Sequence, residues 1–366
     1  MFGDSWRLDG FDGVGSSPMR RTFVIVSVLS CLARSGLARA EEIDAGVACE
    51  QWGQERVLGG HVFQYPVLAD SAFLASTLAL EVLMSFNTTR TVPADNVGTV
   101  SVQQVAPLLN IDTTVHVADP VSVYLTVTGG AATGISTSSL VLKGTSLSYA
   151  LSGGAIVRLI RDEEGATQIA LRAGGFYASG TVVNLRSLVE VLQGNSGITI
   201  GDIVNGSVGE VLLTPFNSYG AAVSGALAHA FSRWLSLQSS LALRLTSIEA
   251  NPYNIAAQAR QSHSQLILTP AAAFAVTFDA SSFHVPVALM LEYRLGLSFN
   301  NADSATTTSW GNSFDLGVYY SGRPDLQAGI AFVALFGVPP LGVLGPGSPG
   351  ATQNGYGSII SLRYVW

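Results

Sequence analysis

Lysine is almost missing from this chain: Lys143 is the only one among 366 residues. Charged residues of all kinds make up 12%, about half of the roughly 25% found in soluble globular proteins. The net charge is −7 and there is no basic run, which removes the electrostatic footprint of a nucleic-acid binder. Cysteine is nearly absent too. Cys31 and Cys49 are the two present, too few for a disulfide framework or a cysteine-cluster metal site. No phosphate-cradling loop, zinc-ligand spacing or nucleotide fingerprint occurs. The chain is 48% hydrophobic, yet past the N-terminal region no segment approaches the roughly 20 apolar residues of a spanning helix. An apolar chain without spanning helices has the composition of a membrane barrel. The soluble alternative for such a composition is a large β-sandwich.

The N-terminus reads as an export signal. Met19-Arg20-Arg21 precedes an apolar run from Thr22 to Ala33, and Ala38-Arg39-Ala40 follows. Positive n-region, short apolar h-region and A-x-A site are the parts of a cleaved signal peptide. The expected organisation is an upstream extension over 1–18, a signal peptide over 19–40, a periplasmic segment or plug over 41–70, and a transmembrane β-barrel over 71–366. Val28-Leu29-Ser30-Cys31 offers a competing lipoprotein reading, with Leu29 a poor fit. Cleavage after Ala40 leaves Cys49 alone.

The other end is more telling. Gly355 to Trp366 reads Gly-Tyr-Gly-Ser-Ile-Ile-Ser-Leu-Arg-Tyr-Val-Trp. Alternate residues of a strand point to opposite faces. Tyr356, Ile360, Leu362, Tyr364 and Trp366 therefore share one apolar face with aromatic ends, while Ser361 and Arg363 share the other. That suits a strand between lipid and a watery lumen. A last strand closing on Tyr364 and Trp366 resembles the assembly signal of Gram-negative outer-membrane β-barrels. The resemblance implies the outer membrane as location, with outer-membrane lipid and the barrel assembly machinery as partners. It extends to a class of proteins and to no specific family.

Amphipathic segments recur along the chain: 73–86, 108–117, 121–128, 147–161, 167–177, 219–230, 235–248, 264–278, 283–299, 312–321, 326–336 and 355–366. Tight turns join some of them, such as Ala118-Asp119-Pro120 and Gly322-Arg323-Pro324-Asp325. Long connections separate the others, over 87–107, 129–146, 178–218, 249–263, 300–311 and 337–354. Bacterial barrels have an even strand number, short periplasmic turns and long outer loops. The fold class expected is thus all-β: a transmembrane antiparallel up-and-down barrel of about 12 strands, closed by pairing 73–86 with 355–366. Within the longest loop, Val182, Leu185, Leu188 and Leu192 recur at helical spacing, which predicts a short helix over Val182 to Gln193.

Alternation also sorts the charges. Glu81, Asp112, Arg158, Arg172, Arg244, Glu292, Arg294, Asp315 and Arg363 all fall on the predicted inner faces. An arginine on the lipid side at mid-membrane would cost about 2–4 kcal/mol, so this segregation has a physical cause. Such a set can form a charged constriction that selects solutes, or it can pair internally and fill a narrow barrel. Small inner residues, among them Gly220, Ala222, Ser224, Ala226 and Ala228, suggest a passage for a partly apolar solute. The function expected is an outer-membrane channel or transporter for small solutes, with no enzyme activity, no cofactor and no metal. The alternatives are an adhesive or structural barrel and an outer-membrane hydrolase. Against a hydrolase, His116, His229 and His284 sit by tight turns, and only His263 sits near the predicted outer rim. Triad partners meet in space, so Ser262 beside His263 in sequence is no signal.

Overall fold

The structure is a computed structural model that describes residues 54–91, 100–136, 140, 145–183, 213–251, 253–254, 259–260, 262–302, 305–338 and 352–366. The expected extension and signal peptide lie outside these residues. So do positions 41–53.

A 3-10 turn over Gln54–Arg56 leads into a small hairpin, β1 (Val57–Leu58) and β2 (His61–Val62). Twelve long strands follow. They are β3 (Thr77–Thr91), β4 (Val100–Ala118), β5 (Val121–Gly134), β6 (Thr145–Asp162), β7 (Thr167–Val183), β8 (Leu213–Ser232) and β9 (Leu235–Ala250). Then come β12 (His263–Asp279), β13 (Val287–Ala302), β14 (Ala305–Tyr320), β15 (Leu326–Val338) and β16 (Thr352–Val365), after a two-residue pair of strands, β10 (Tyr253–Asn254) and β11 (Ala259–Arg260). Each long strand pairs antiparallel with its neighbours, and β16 pairs with β3 from Thr352↔Arg90 to Val365↔Thr77 to close the barrel. Closure is obligatory in lipid, where an open edge would leave backbone groups without partners.

The outer surface is a membrane belt. Leu80, Val82, Leu243, Leu291, Leu316 and Ile360 are exposed between the strand ends. Exposed aromatics flank them at both ends. Trp234, Phe278 and Phe283 pack together beside the short turns, as do Tyr364 and Trp366. Phe86, Phe332 and Tyr356 stack towards the other end. Trp366 and Tyr356 lie about ten residues apart, or about 33 Å along a strand at 3.3 Å per residue. With the usual tilt near 40° this becomes about 25 Å, the height of an apolar barrel belt.

Several boundaries differ from the expected ones. The first barrel strand starts at Thr77, so 71–76 do not belong to the wall. β13 starts at Val287 because Ala280–Phe283 forms a 3-10 turn capped by the Asp279 carboxylate, with His284 in the left-handed region. His284 thus leaves the inner face. The long connection expected over 300–311 reduces to 303–304, since the Thr-rich stretch 306–308 continues as strand, with Asn300 opposite Thr307. β-branched residues favour that extension. The strands run past the membrane, which needs only about 9–11 tilted residues. Val182 and Val183 end β7 as strand; the rest of the expected helix lies outside the described residues.

Candidate functional site in the barrel lumen

Residues 54–76 run inside the barrel, at the end carrying the short turns. Their polar groups are met by side chains that strand alternation aims inward. The Glu292 carboxylate accepts the backbone N–H groups of Val67 (2.7 Å), Leu68 (2.7 Å) and Ala69 (3.3 Å). Gln327 bonds Tyr65 twice, accepting its N–H and donating to its carbonyl. Gln238 donates to the Gln64 carbonyl, Gln168 to that of Ala72, and Ser122 to that of Leu74. Ser240 accepts from the Asp70 N–H. A segment without regular secondary structure survives in a buried place only if its backbone groups are paired, and here the wall pairs them.

Apolar contacts complete the fit. Leu58, Phe63, Phe73 and Leu74 pack on the inward methyls of Ala170, Ala226, Ala228 and Ala230. Val67 packs against Met290, Tyr319 and Ala331. The small inner residues that suggested a solute passage therefore make room, at Ala226 and Ala228, for the chain's own segment.

Arg56 is fully buried and donates to four carbonyls, those of Phe63 (3.0 Å), Arg323 (3.1 Å), Pro324 (2.6 Å) and Leu326 (3.3 Å). It ties the segment to the β14–β15 turn. Burial lowers its pKa to about 10, still well above neutral pH. Burial also raises the Tyr65 phenol to about 12. His61 is buried, with Nδ1 3.1 Å from the Arg233 carbonyl and Nε2 without a partner. Its pKa lies below the ordinary 6.5 because burial penalises the charged ring.

The nine charged residues expected in the lumen are on the inner wall, where they divide into three groups. On one side, Arg363 bridges Glu81 (3.3 Å) and Asp112 (3.4 Å) and covers the Tyr65 ring at 4.5 Å. Asn110 and Thr126 donate to those two carboxylates. Next to them Glu292, spent on the segment, stands opposite Asp315 in the ladder. Near the short turns, Arg158 pairs with Glu55 (3.0 Å) and with Asp119. Arg161, brought inward by a bulge between Arg158 and Ile160, joins the same Glu55 at 3.0 Å.

The third group differs. Arg172, Arg244 and Arg294 face a cavity of about 190 Å³ above Leu68 and Asp70. Arg172 lies 3.6 Å from Asp70 and packs over Tyr124 at 3.7 Å. Arg244 packs over Phe176 at 4.0 Å. Among the described residues, no ion pair or hydrogen bond reaches Arg244 or Arg294. At the level of the cavity the strands between them, β8 and β12, present Ala222, Ser224, Ala271 and Ala273.

Sequence reasoning missed Arg56, Asp70, Arg161, Tyr124 and Phe176. Tyr124 was accessible from alternation, which sets it on one face with Ser122 and Thr126. Arg161 was hidden by a bulge that no period-2 pattern contains. The histidines also find local roles. His116 Nδ1 lies 3.2 Å from Ser122 Oγ, but that hydroxyl is fully buried and donates to the Leu74 carbonyl. His229 meets Thr167 at 2.8 Å.

No family model and no curated protein matches the sequence. Solved structures match in fold. The translocator domain of the autotransporter NalP from Neisseria meningitidis aligns over 80% of this chain and 88% of its own, at 9% identity and a TM-score of 0.50. An outer membrane channel from Pseudomonas putida F1 aligns over 83% and 98%, at 10% identity and a TM-score of 0.45. The Pseudomonas putida toluene transporter TodX aligns over 85% and 96%, at 9% identity and a TM-score of 0.40. With its closed wall, apolar outer belt and charged interior, the chain has the closed β-barrel fold seen in Gram-negative outer-membrane proteins, matched in fold and not in sequence.

Proposed function

We propose that this protein is an outer-membrane channel for small solutes, plugged at its periplasmic end by residues 54–76. The observation that carries this reading is the cavity above the segment. A barrel serving only as a scaffold has no need for desolvated, unpaired arginines facing open space, because each unpaired polar group in an interior is costly. Charged rings in a narrow lumen are how pores select what passes. The plug sets the resting state, and its contacts with the wall are hydrogen bonds and small apolar patches that can open locally.

Liposome swelling and planar-bilayer conductance with the purified protein test the reading. The expected outcome is uptake of small solutes and discrete conductance steps, with cation-versus-anion preference moved by Arg244→Glu or Arg294→Glu. No conductance and no uptake would leave a structural or adhesive barrel. The packing of 54–76 against the wall favours that second reading, since it fills the lumen at one end.

A further inference from the structure

The lumenal charge is unevenly spent. Arg158 and Arg363 are matched by carboxylates, whereas the cavity above Asp70 gathers three guanidinium groups around that one carboxylate. Arg244 Nε is buried and has no acceptor. Buried donors are almost always paired, so a guanidinium desolvated at Nε and lining a cavity without an acceptor calls for an anionic partner in that cavity.

The wall behind the arginines is shaped to hold them. Tyr124 lies against Gly174 and Phe176 against Gly220; a Cβ on either glycine would collide with the ring beside it. Each ring in turn carries a guanidinium, Arg172 on Tyr124 and Arg244 on Phe176. Packing on an aromatic face restrains a long side chain that would otherwise lose much freedom on binding. The guanidinium forks are thus positioned beforehand, and a planar carboxylate matches a fork with two parallel hydrogen bonds. For size, a dry cavity of about 150 Å³ holds benzene, and this one measures about 190 Å³.

We infer that this cavity is a binding site for a small organic carboxylate, held by Arg244 and Arg294 with Arg172 and the two aromatic faces beside it. The inference rests on the channel reading, since it names the class of solute that the channel takes. The carboxylate enters from the long-loop side and stops above the Leu68–Asp70 backbone. Asp70 disfavours a second negative charge near Arg172, so a monocarboxylate suits the site better than a multiply charged anion.

Isothermal titration of the purified full chain with sodium benzoate tests this, with neutral benzamide and inorganic phosphate as matched probes. Benzoate is expected to bind at least tenfold more tightly than either. Arg294→Gln and Arg244→Gln should each weaken benzoate at least tenfold. Arg294→Lys, which keeps the charge and loses the fork, should weaken it a few fold, while Arg323→Gln on an exposed turn should change nothing. Heat-modifiable migration in gels confirms that each variant is a folded barrel. Equal binding of benzoate and benzamide, or benzoate binding untouched by both Gln variants, overturns the site. Phosphate binding as tight as benzoate overturns the carboxylate class. A barrel that conducts without binding benzoate refutes the site and leaves the channel reading standing. One that binds benzoate through these arginines yet passes no solute refutes the channel and leaves the site.

Discussion

His61 is held neutral by its surroundings. Its Nδ1–H donates to the Arg233 carbonyl, and its buried Nε2 has no acceptor to receive a second proton's hydrogen bond. The sign of the pH effect follows. The released histidine binds a proton near the ordinary 6.5, while the packed one binds it only at lower pH. Between those two values the released form carries more protons, so packing weakens as pH falls. The contribution of neutral His61 is complete above about pH 6.5 and is lost as pH drops through the lowered value. The hydrogen bond to the Arg233 carbonyl and the nearby Asp279 both favour the charged ring and are outweighed by burial. Hydrogen-exchange protection factors over residues 57–63, which remove the base-catalysed change in intrinsic rate, should therefore be high at pH 7.5 and clearly lower at pH 5.5, with His61→Gln removing most of the difference. Equal protection factors at both pH values in the unmodified protein would show that His61 does not control the hairpin. Arg56 acts more simply: four carbonyls lose the guanidinium in Arg56→Ala, at about 1–3 kcal/mol for each one left buried with no other donor, and the Arg323 carbonyl keeps the Leu326 N–H.

The element that most depends on others is the lumenal segment. It has little regular structure of its own, and its order comes from inward side chains of strands far away in sequence. Glu292 is the strongest of these anchors, with three N–H groups on one carboxylate. Glu292→Ala should release residues 65–72, raising conductance and exposing the segment to protease, while the barrel keeps its heat-modifiable band. Glu292→Gln retains one acceptor oxygen and should open the segment less. Unchanged proteolysis and conductance in the Ala variant would show that the segment is held by its apolar contacts alone. Those contacts are made with alanines, where any larger side chain would strike the segment, so Ala228→Leu should produce a similar release by overpacking.

At the scale of the whole molecule, everything depends on closing the sheet. The seam is β16 against β3, and the Trp366 N–H continues it by donating to the Ser76 carbonyl at 2.9 Å. On the outside, Trp366 stacks on Tyr364 with ring centroids 5.9 Å apart. Trp366 thus extends the seam and adds a second aromatic to the outer face beside Tyr364. Deleting Trp366 is expected to lower the outer-membrane level of the protein several fold, with aggregated or degraded chain in the periplasm. Normal levels of the deletion in isolated outer membranes would count against a role in assembly. Tyr364→Ala should act in the same direction and more weakly, since it keeps the bond from the Trp366 N–H to Ser76 that continues the seam.

Alternation, read with the spacing of tight turns and long connections, determined the class of fold, the number of barrel strands and the seam, and it set the nine charges on the inner face. The reason is local: in a strand between lipid and lumen, each residue's face follows from its parity, and lipid enforces the sorting at a cost of kilocalories per misplaced charge. Glu81 and Arg363 could be set on the inner face from sequence for that reason. Alternation could not say that Arg363 would bridge Glu81 and Asp112 while Arg244 and Arg294 found no ion pair among the described residues. Nor could it say that Glu292 would be claimed by the backbone of Val67 to Ala69. Those outcomes depend on which strands become neighbours around the circle and on a segment that reaches the lumen from outside the repeating pattern. Parity is a property of one strand, whereas the occupancy of the lumen belongs to all twelve at once, and only the tertiary structure decided it.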